Sequence, residues 1–145
     1  MCLSINPTNS PTSPKGLRKS KGGKHLIGYK ILRRESFPAF SNVYLSLHAG
    51  FKWNFNAKGK IFCSSRRTKE LSKEEVYGTR IYRGFHFFVS QSDAMKETQF
   101  YGDPDNLRVV VFHIPIEFFV AKGGWCGYQS FVATKAKFAR VIKGK

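Results

Sequence analysis

At 145 residues and a formal net charge of +16, the chain is long enough for one domain with a core, and it is basic enough to favour phosphate-rich or acidic partners. Its three cysteines (Cys2, Cys63 and Cys126) are odd in number, far apart and without a CxxC pair. That argues against a disulfide framework and against a zinc ribbon or finger. No apolar stretch reaches the roughly 18–20 residues of a membrane span, and free thiols fit a reducing cytosol, so the expected location is cytoplasmic.

In chain order, Met1 to Lys24 reads as an irregular basic arm. Asn, Pro, Thr and Ser lead into KGLRKSKGGK, and few of these residues offset the entropy of ordering, so disorder is the expectation for the free chain. A single compact β-rich domain is expected over 25–145. His25 to Arg34 has the β-formers of a first strand, and Val43 to Leu47 those of a second. Phe51, Trp53 and Phe55 alternate, and with the return segment Lys60 to Cys63 they predict a hairpin closed over Asn56-Ala-Lys-Gly59. Thr68 to Glu75 can hold a turn or two of helix. Arg80 to Ser90 is strand-like and broken at Gly84. Ser90 or Ser92 caps a helix that runs towards Tyr101 and stops at the turn cluster Gly102 to Asn106.

Leu107 to Val120 is the most apolar run and the best central strand, with Pro115 demoting its second half to an edge or bulge. Lys122 to Gly127 reads as a loop. Ser130 to Ile142 alternates as a closing strand, against a competing helix suggested by Ala133, Ala136 and Ala139. Fourteen Phe, six Tyr and two Trp tilt the composition towards strand. The expected fold is α+β and mainly β: a small curved antiparallel sheet or partial barrel with one or two short helices.

The charge is unevenly placed. Eight bases and no acid lie between Met1 and Arg34, and six bases and no acid between Phe118 and Lys145. The middle nearly balances, with eleven bases against nine acids. Lysines and arginines so placed neutralise phosphates and release condensed counterions. The candidate nucleic-acid-binding residues are Lys15, Arg18, Lys19, Lys21, Lys24, Arg33, Arg34, Lys135, Lys137 and Arg140. Tyr29, Phe131 and Phe138 stand near them as candidate stacking platforms. The alternatives are an acidic protein surface as partner, or a plain solubilising surface. Arg66, Arg67, Lys69 and Lys73 are diluted by Glu70, Glu74 and Glu75 and read as ordinary helix-surface charge.

Several residues match a known pattern: Lys30-Ile-Leu32, Gly84-Phe-His-Phe-Phe88, Asp93-Ala94, Val109-Val-Val111, Ala136-Lys-Phe138 and the start Met1-Cys2-Leu3. Over His25 to Ile142 the chain thereby resembles a loosely defined family of small bacteriophage and mobile-element proteins with a G-F-H-x-F motif. The resemblance implies such an origin and action on host or phage nucleoprotein, and it brings no activity with it. A second resemblance has chemistry attached. Ile81-Tyr-Arg83-Gly84 and Ser90-Gln-Ser92 are similar to the Arg strand and S-x-S strand of arginine-type ADP-ribosyltransferases. That resemblance implies Arg83 and Ser90 at a dinucleotide, with Glu117 and His86 completing the catalytic candidates. The E-x-E or Q-x-E turn of that family is absent.

Two histidines and a lysine would suit RNA cleavage, and His86 and His113 on the two strongest strands are candidates to meet. Cys63, His86, His113 and Cys126 lack metal-ligand spacing, and Gly123 to Gly127 lacks the context of a dinucleotide fingerprint, so no metal and no cofactor is expected. The resulting expectation is a small cytosolic basic protein that binds nucleic acid or a host nucleoprotein by occlusion, without chemistry and without a membrane. One version is inhibition of a host defence complex. An ADP-ribosyltransferase-like enzyme and a structural ribonucleoprotein component are the alternatives.

Overall fold

The computed structural model describes residues 3–4, 12–34, 43–46, 52–54, 61–63, 76–77, 80–81, 84–101 and 104–142. Among them twelve strands form one antiparallel sheet that does not close. The protein is α+β and mainly β.

The strands are β1 (Leu3–Ser4), β2 (His25–Arg34), β3 (Val43–Ser46), β4 (Lys52–Asn54), β5 (Ile61–Cys63), β6 (Val76–Tyr77), β7 (Arg80–Ile81) and β8 (Phe85–Phe88). After the helix α1 (Gln91–Glu97) come β9 (Leu107–Pro115), β10 (Phe119–Trp125), β11 (Tyr128–Ala133) and β12 (Lys135–Val141). Their order across the sheet is β5-β12-β9-β2-β8-β11-β10-β1-β7-β6, with β3 added to β2 and β4 to β3.

β9 is central because both of its faces are buried. Val109 and Val111 point to one side, and Val110, Phe112 and Ile114 to the other. It pairs with β2 along the whole stretch from His25↔Pro115 to Arg33↔Leu107, and with β12 on its other edge. One face of the sheet is aromatic. Trp53, Phe85, Phe87, Phe112 and Phe131 pack there with Leu26, Leu32, Val110 and Ile114. The Trp53 ring lies 4.6 Å from Phe85 and 4.9 Å from Phe112. Among the described residues β4 joins the sheet only through β3, so these contacts require the sheet to curl over its aromatic face.

The opposite face carries Tyr29, Ile31, Phe88, Leu107, Val109 and Val111, and α1 covers it with Ala94. Ser90 is the N-cap of α1: its Oγ accepts from the Asp93 amide at 3.4 Å. A 3-10 turn, Thr98–Phe100, continues the helix, as the propensity of this stretch leads one to expect.

Four sequence expectations are refined. The hairpin predicted over Phe51 to Cys63 does not form: β4 pairs with β3, and β5 pairs with β12. Trp53 gains the aromatic cluster by that choice, and alternation within a short segment carries no information about its partner. The Gly-rich stretch expected as a loop belongs to β10 up to Trp125. Only Cys126 and Gly127 form the turn, with φ of 49° and 83°. Positive φ at both central residues is the signature of a two-residue type I′ hairpin. Pro115 ends β9, and after a 3-10 turn (Ile116–Phe118) the chain returns as β10. Finally, Ser130 to Ile142 is strand and not helix, split at Thr134 between β11 and β12.

The described parts of the N-terminal arm lie against the sheet. Leu3 is fully buried between β10 and β7. Lys19 bridges to Leu26, Ser20 N donates to His25 O at 2.8 Å, and Ile27 N donates to Arg18 O at 2.9 Å. Leu17 packs on the aromatic core, and Lys122 Nζ donates to Lys15 O at 2.6 Å. Among the described residues no helix is long and apolar enough to cross a membrane.

Candidate functional site

Strands from the two acid-free ends of the chain flank one central strand of the sheet. β2 belongs to the N-terminal basic stretch and β12 to the C-terminal one, and each lies beside β9. They are therefore two strand spacings apart, roughly 10 Å.

Register then decides which bases share a face. Lys137 stands opposite His113, and His113 opposite Ile27. Without an irregularity, Arg140 would point to the other side of β12 from Lys137, because side chains alternate with a period of two. The register shifts between Phe138 and Arg140, and this bulge sets Arg140 opposite Val111. Val111 is on the face of His113, so Lys137 and Arg140 project together.

The row continues across the sheet. Val111 pairs with Tyr29, and Arg18 Nη1 donates to Tyr29 Oη at 3.4 Å. His25 completes the group: its ring centroid lies 6.0 Å from that of His113, with the planes tilted by 40°. This is the face that α1 covers further along β2 and β9. The covered part is apolar, and the end bearing His25 and His113 is only partly buried.

The electrostatics follow from this placement. His113 is held below the ordinary histidine pKa, first by burial, then by His25, Lys137 and Arg140. Every charged or titratable group acting on it is cationic or becomes so, and no carboxylate among the described residues contributes. Lys30 is a separate case. It points to the aromatic face, where its Nζ donates to His86 O at 3.1 Å and lies 5.9 Å from the Phe87 ring centroid. Burial pushes its pKa down to about 8 although its side chain keeps some solvent access.

The remaining candidates are scattered. Lys21 and Lys24 are exposed around the turn at Gly22 and Gly23. Arg33 and Arg34 lie at the far end of β2, roughly 25 Å along the strand from His25. Lys135 Nζ sits 4.7 Å above the Phe118 ring. The candidate basic residues of the nucleic-acid reading are thus split: Arg18, Lys137 and Arg140 converge, while Arg33 and Arg34 stand apart.

His86 does not supply the ring that faces His113. It is buried, and its Nδ1 lies 3.1 Å from Gly84 O. His25 was not singled out in the sequence, and its spacing from His113 gave no signal. Only strand pairing brings the two together.

Of the ADP-ribosyltransferase-type residues, Arg83 lies outside the described residues. Ser90 is engaged as the α1 cap and lies 2.9 Å from Ser92 Oγ. Glu117 is exposed on the 3-10 turn before β10. Phe118 O accepts from Thr134 N beside the Phe85 end of β8, whereas Ser90 follows the Phe88 end. Ser90 and the Glu117 turn are thus separated by about 15 Å of strand.

Among the described residues no group of three His, Cys, Asp or Glu can hold a metal ion. No protein-family model matches the chain, and neither a curated protein nor a solved structure does. The resemblances to the phage-type family and to ADP-ribosyltransferases therefore rest on their short motifs alone.

Proposed function

We propose that this chain is a small basic accessory protein, of the kind encoded by phages and mobile elements, that binds nucleic acid or a nucleoprotein by occlusion and performs no chemistry. One observation carries the reading: the two acid-free ends, separated by more than eighty residues of nearly balanced charge, flank β9 and present Arg18, Lys137 and Arg140 on one face. Gathering like charges across one sheet raises the energy of the free protein through self-repulsion, and a polyanion relieves it. Inhibition of a host defence complex is the version that the family resemblance suggests.

The test is fluorescence anisotropy of labelled single-stranded RNA, single-stranded DNA and duplex DNA over a range of salt. Tight binding at low salt is expected, with log K falling linearly against log salt. For a single strand, Lys137→Gln and Arg140→Gln should each flatten that slope by about 0.7. Deleting residues 1–24 is a poorer probe, because it also removes buried Leu3 and the packing of Leu17. Absence of binding at low salt to all three probes refutes the reading and turns the search to acidic protein partners.

A further inference from the structure

We propose that His25, His113, Lys137 and Arg140 form a subsite for one phosphodiester group, and that the subsite takes up a proton when it is filled. The inference rests on the polyanion-binding reading and assigns it a location, a ligand class and a pH dependence.

Three observations support it independently of the overall charge. First, the four side chains come from three adjacent strands and share one face by register, with the bulge in β12 needed to include Arg140. A bulge that re-aims a cation beside another, against repulsion, is the kind of local irregularity found next to functional positions. Second, the two imidazole rings stand 6.0 Å apart. A tetrahedral phosphate between them can accept one N–H from each ring while Lys137 and Arg140 supply charge-assisted bonds. Third, among the described residues no acid acts on His113 to balance the group. The charged and titratable neighbours that face His113 are His25 from β2 and Lys137 and Arg140 from β12.

The proton uptake follows from the same geometry. In the free protein, burial and neighbouring cations hold His113 below its ordinary pKa, so it is neutral at pH 7. A bound phosphodiester carries a fixed negative charge. It favours the imidazolium, and the histidine pKa rises on binding. By linkage, affinity then increases as pH falls through the interval between the free and bound values. One coupled proton gives up to tenfold in affinity per pH unit across that interval.

The experiment uses the full chain and a labelled oligouridylate, whose own groups do not titrate between pH 5.5 and 8. Dissociation constants are measured at both pH values at fixed ionic strength, for the wild type and for the His25→Gln/His113→Gln double variant. The wild type should bind about tenfold or more tightly at pH 5.5 than at pH 8. The double variant should show a change of about twofold or less, while keeping the wild-type circular dichroism spectrum. In parallel, the histidine ring resonances are titrated with and without the oligonucleotide, and the His113 pKa should move up in its presence.

Equal wild-type affinity at the two pH values, or a pH response that survives in the double variant, overturns the subsite and leaves the polyanion reading standing. If the oligonucleotide does not bind at either pH, the polyanion reading fails, and the ring resonances in the presence of inorganic phosphate decide the subsite alone. No shift of His113 up to 50-fold excess phosphate overturns it. A saturable upward shift of its pKa supports it.

Discussion

Replacing Gly28 by alanine should destabilise the sheet without touching the basic face. A Cβ built at Gly28 would lie 2.8 Å from Phe131 Cζ, 2.8 Å from Phe87 Cβ and 2.9 Å from Phe87 Cγ. Ordinary contact begins near 3.4 Å. The Phe131 atom is the tip of a ring and can swing aside. Phe87 Cβ cannot, because it is one bond from the backbone of β8, and β8 is hydrogen-bonded to β2 at Tyr29↔Phe88. Relief therefore requires the two strands to separate by about half an ångström at the centre of the core, and overpacking of this kind costs about 1–3 kcal/mol. Alanine recovers about 0.5–1 kcal/mol of the penalty that glycine carries in a strand. The net destabilisation is about 1–2 kcal/mol, a fall of roughly 3–7 °C in Tm for a chain of this length. Thermal and urea unfolding followed by circular dichroism measure it. Phe131→Leu, which withdraws the ring tip, should be less harmful in the Gly28→Ala background than in the wild type, with a coupling of at least about 0.5 kcal/mol. An unchanged or raised Tm for Gly28→Ala would show that Phe87 does not approach Gly28 as closely as described.

Lys30 predicts a pH dependence of stability of definite sign. Its folded pKa of about 8 is below the unfolded value of 10.5, so the unfolded chain binds more protons between the two. Stability contributed by this group is therefore lowest below pH 8 and rises with pH towards 10.5, by up to about 3 kcal/mol. Urea unfolding at pH 7 and pH 10 should show this gain in the wild type and its loss in Lys30→Met, and parallel behaviour of the two proteins would refute it. The free protein should also gain thermal stability when sodium chloride is raised from 0.05 to 0.5 M, because screening relieves repulsion across β12, β9 and β2. Lys137→Gln should reduce that gain, and a Tm independent of salt would count against the crowding of cations on one face.

What the sequence discloses and what it hides divide along a physical line. β2, β8 and β9 are legible because alternation and β-branched or aromatic content are local properties. The cap at Ser90 and the break at Gly84, whose φ is 97°, are local as well. Pairing is not local. Phe51 to Cys63 reads as a hairpin, yet its two strands find partners elsewhere, since Trp53 gains more from Phe85 and Phe112 than from a neighbour in sequence. Lys122 to Gly127 reads as a loop because glycine is rare in strands. Pairing of Gly124 with Gln129 and Ser4 overrides that preference. The charged ends are plain in the sequence, and the candidate site is not. His25 and His113 are 88 positions apart, and Arg140 joins Lys137 only through a bulge that no residue type announces.

β9 explains how a fold can tolerate such a face. A strand that separates two cationic strands must hold both through its backbone ladder and through apolar burial on each side, because no acid among the described residues offsets the bases at this end. Its alternating residues do this, with Val110, Phe112 and Ile114 in the aromatic core and Val109 and Val111 under α1. Apolar burial is insensitive to charge, at about 25 cal/mol per Å², whereas the repulsion is screened and falls off with distance. The same strand thus fixes the spacing of the cations at roughly 10 Å and bears the cost of keeping them there. Polar substitutions at Val109 or Val111 should accordingly weaken polyanion binding by loosening that spacing, whereas changes to Arg33 and Arg34, at the far end of β2, should leave the His25–His113 end unaffected.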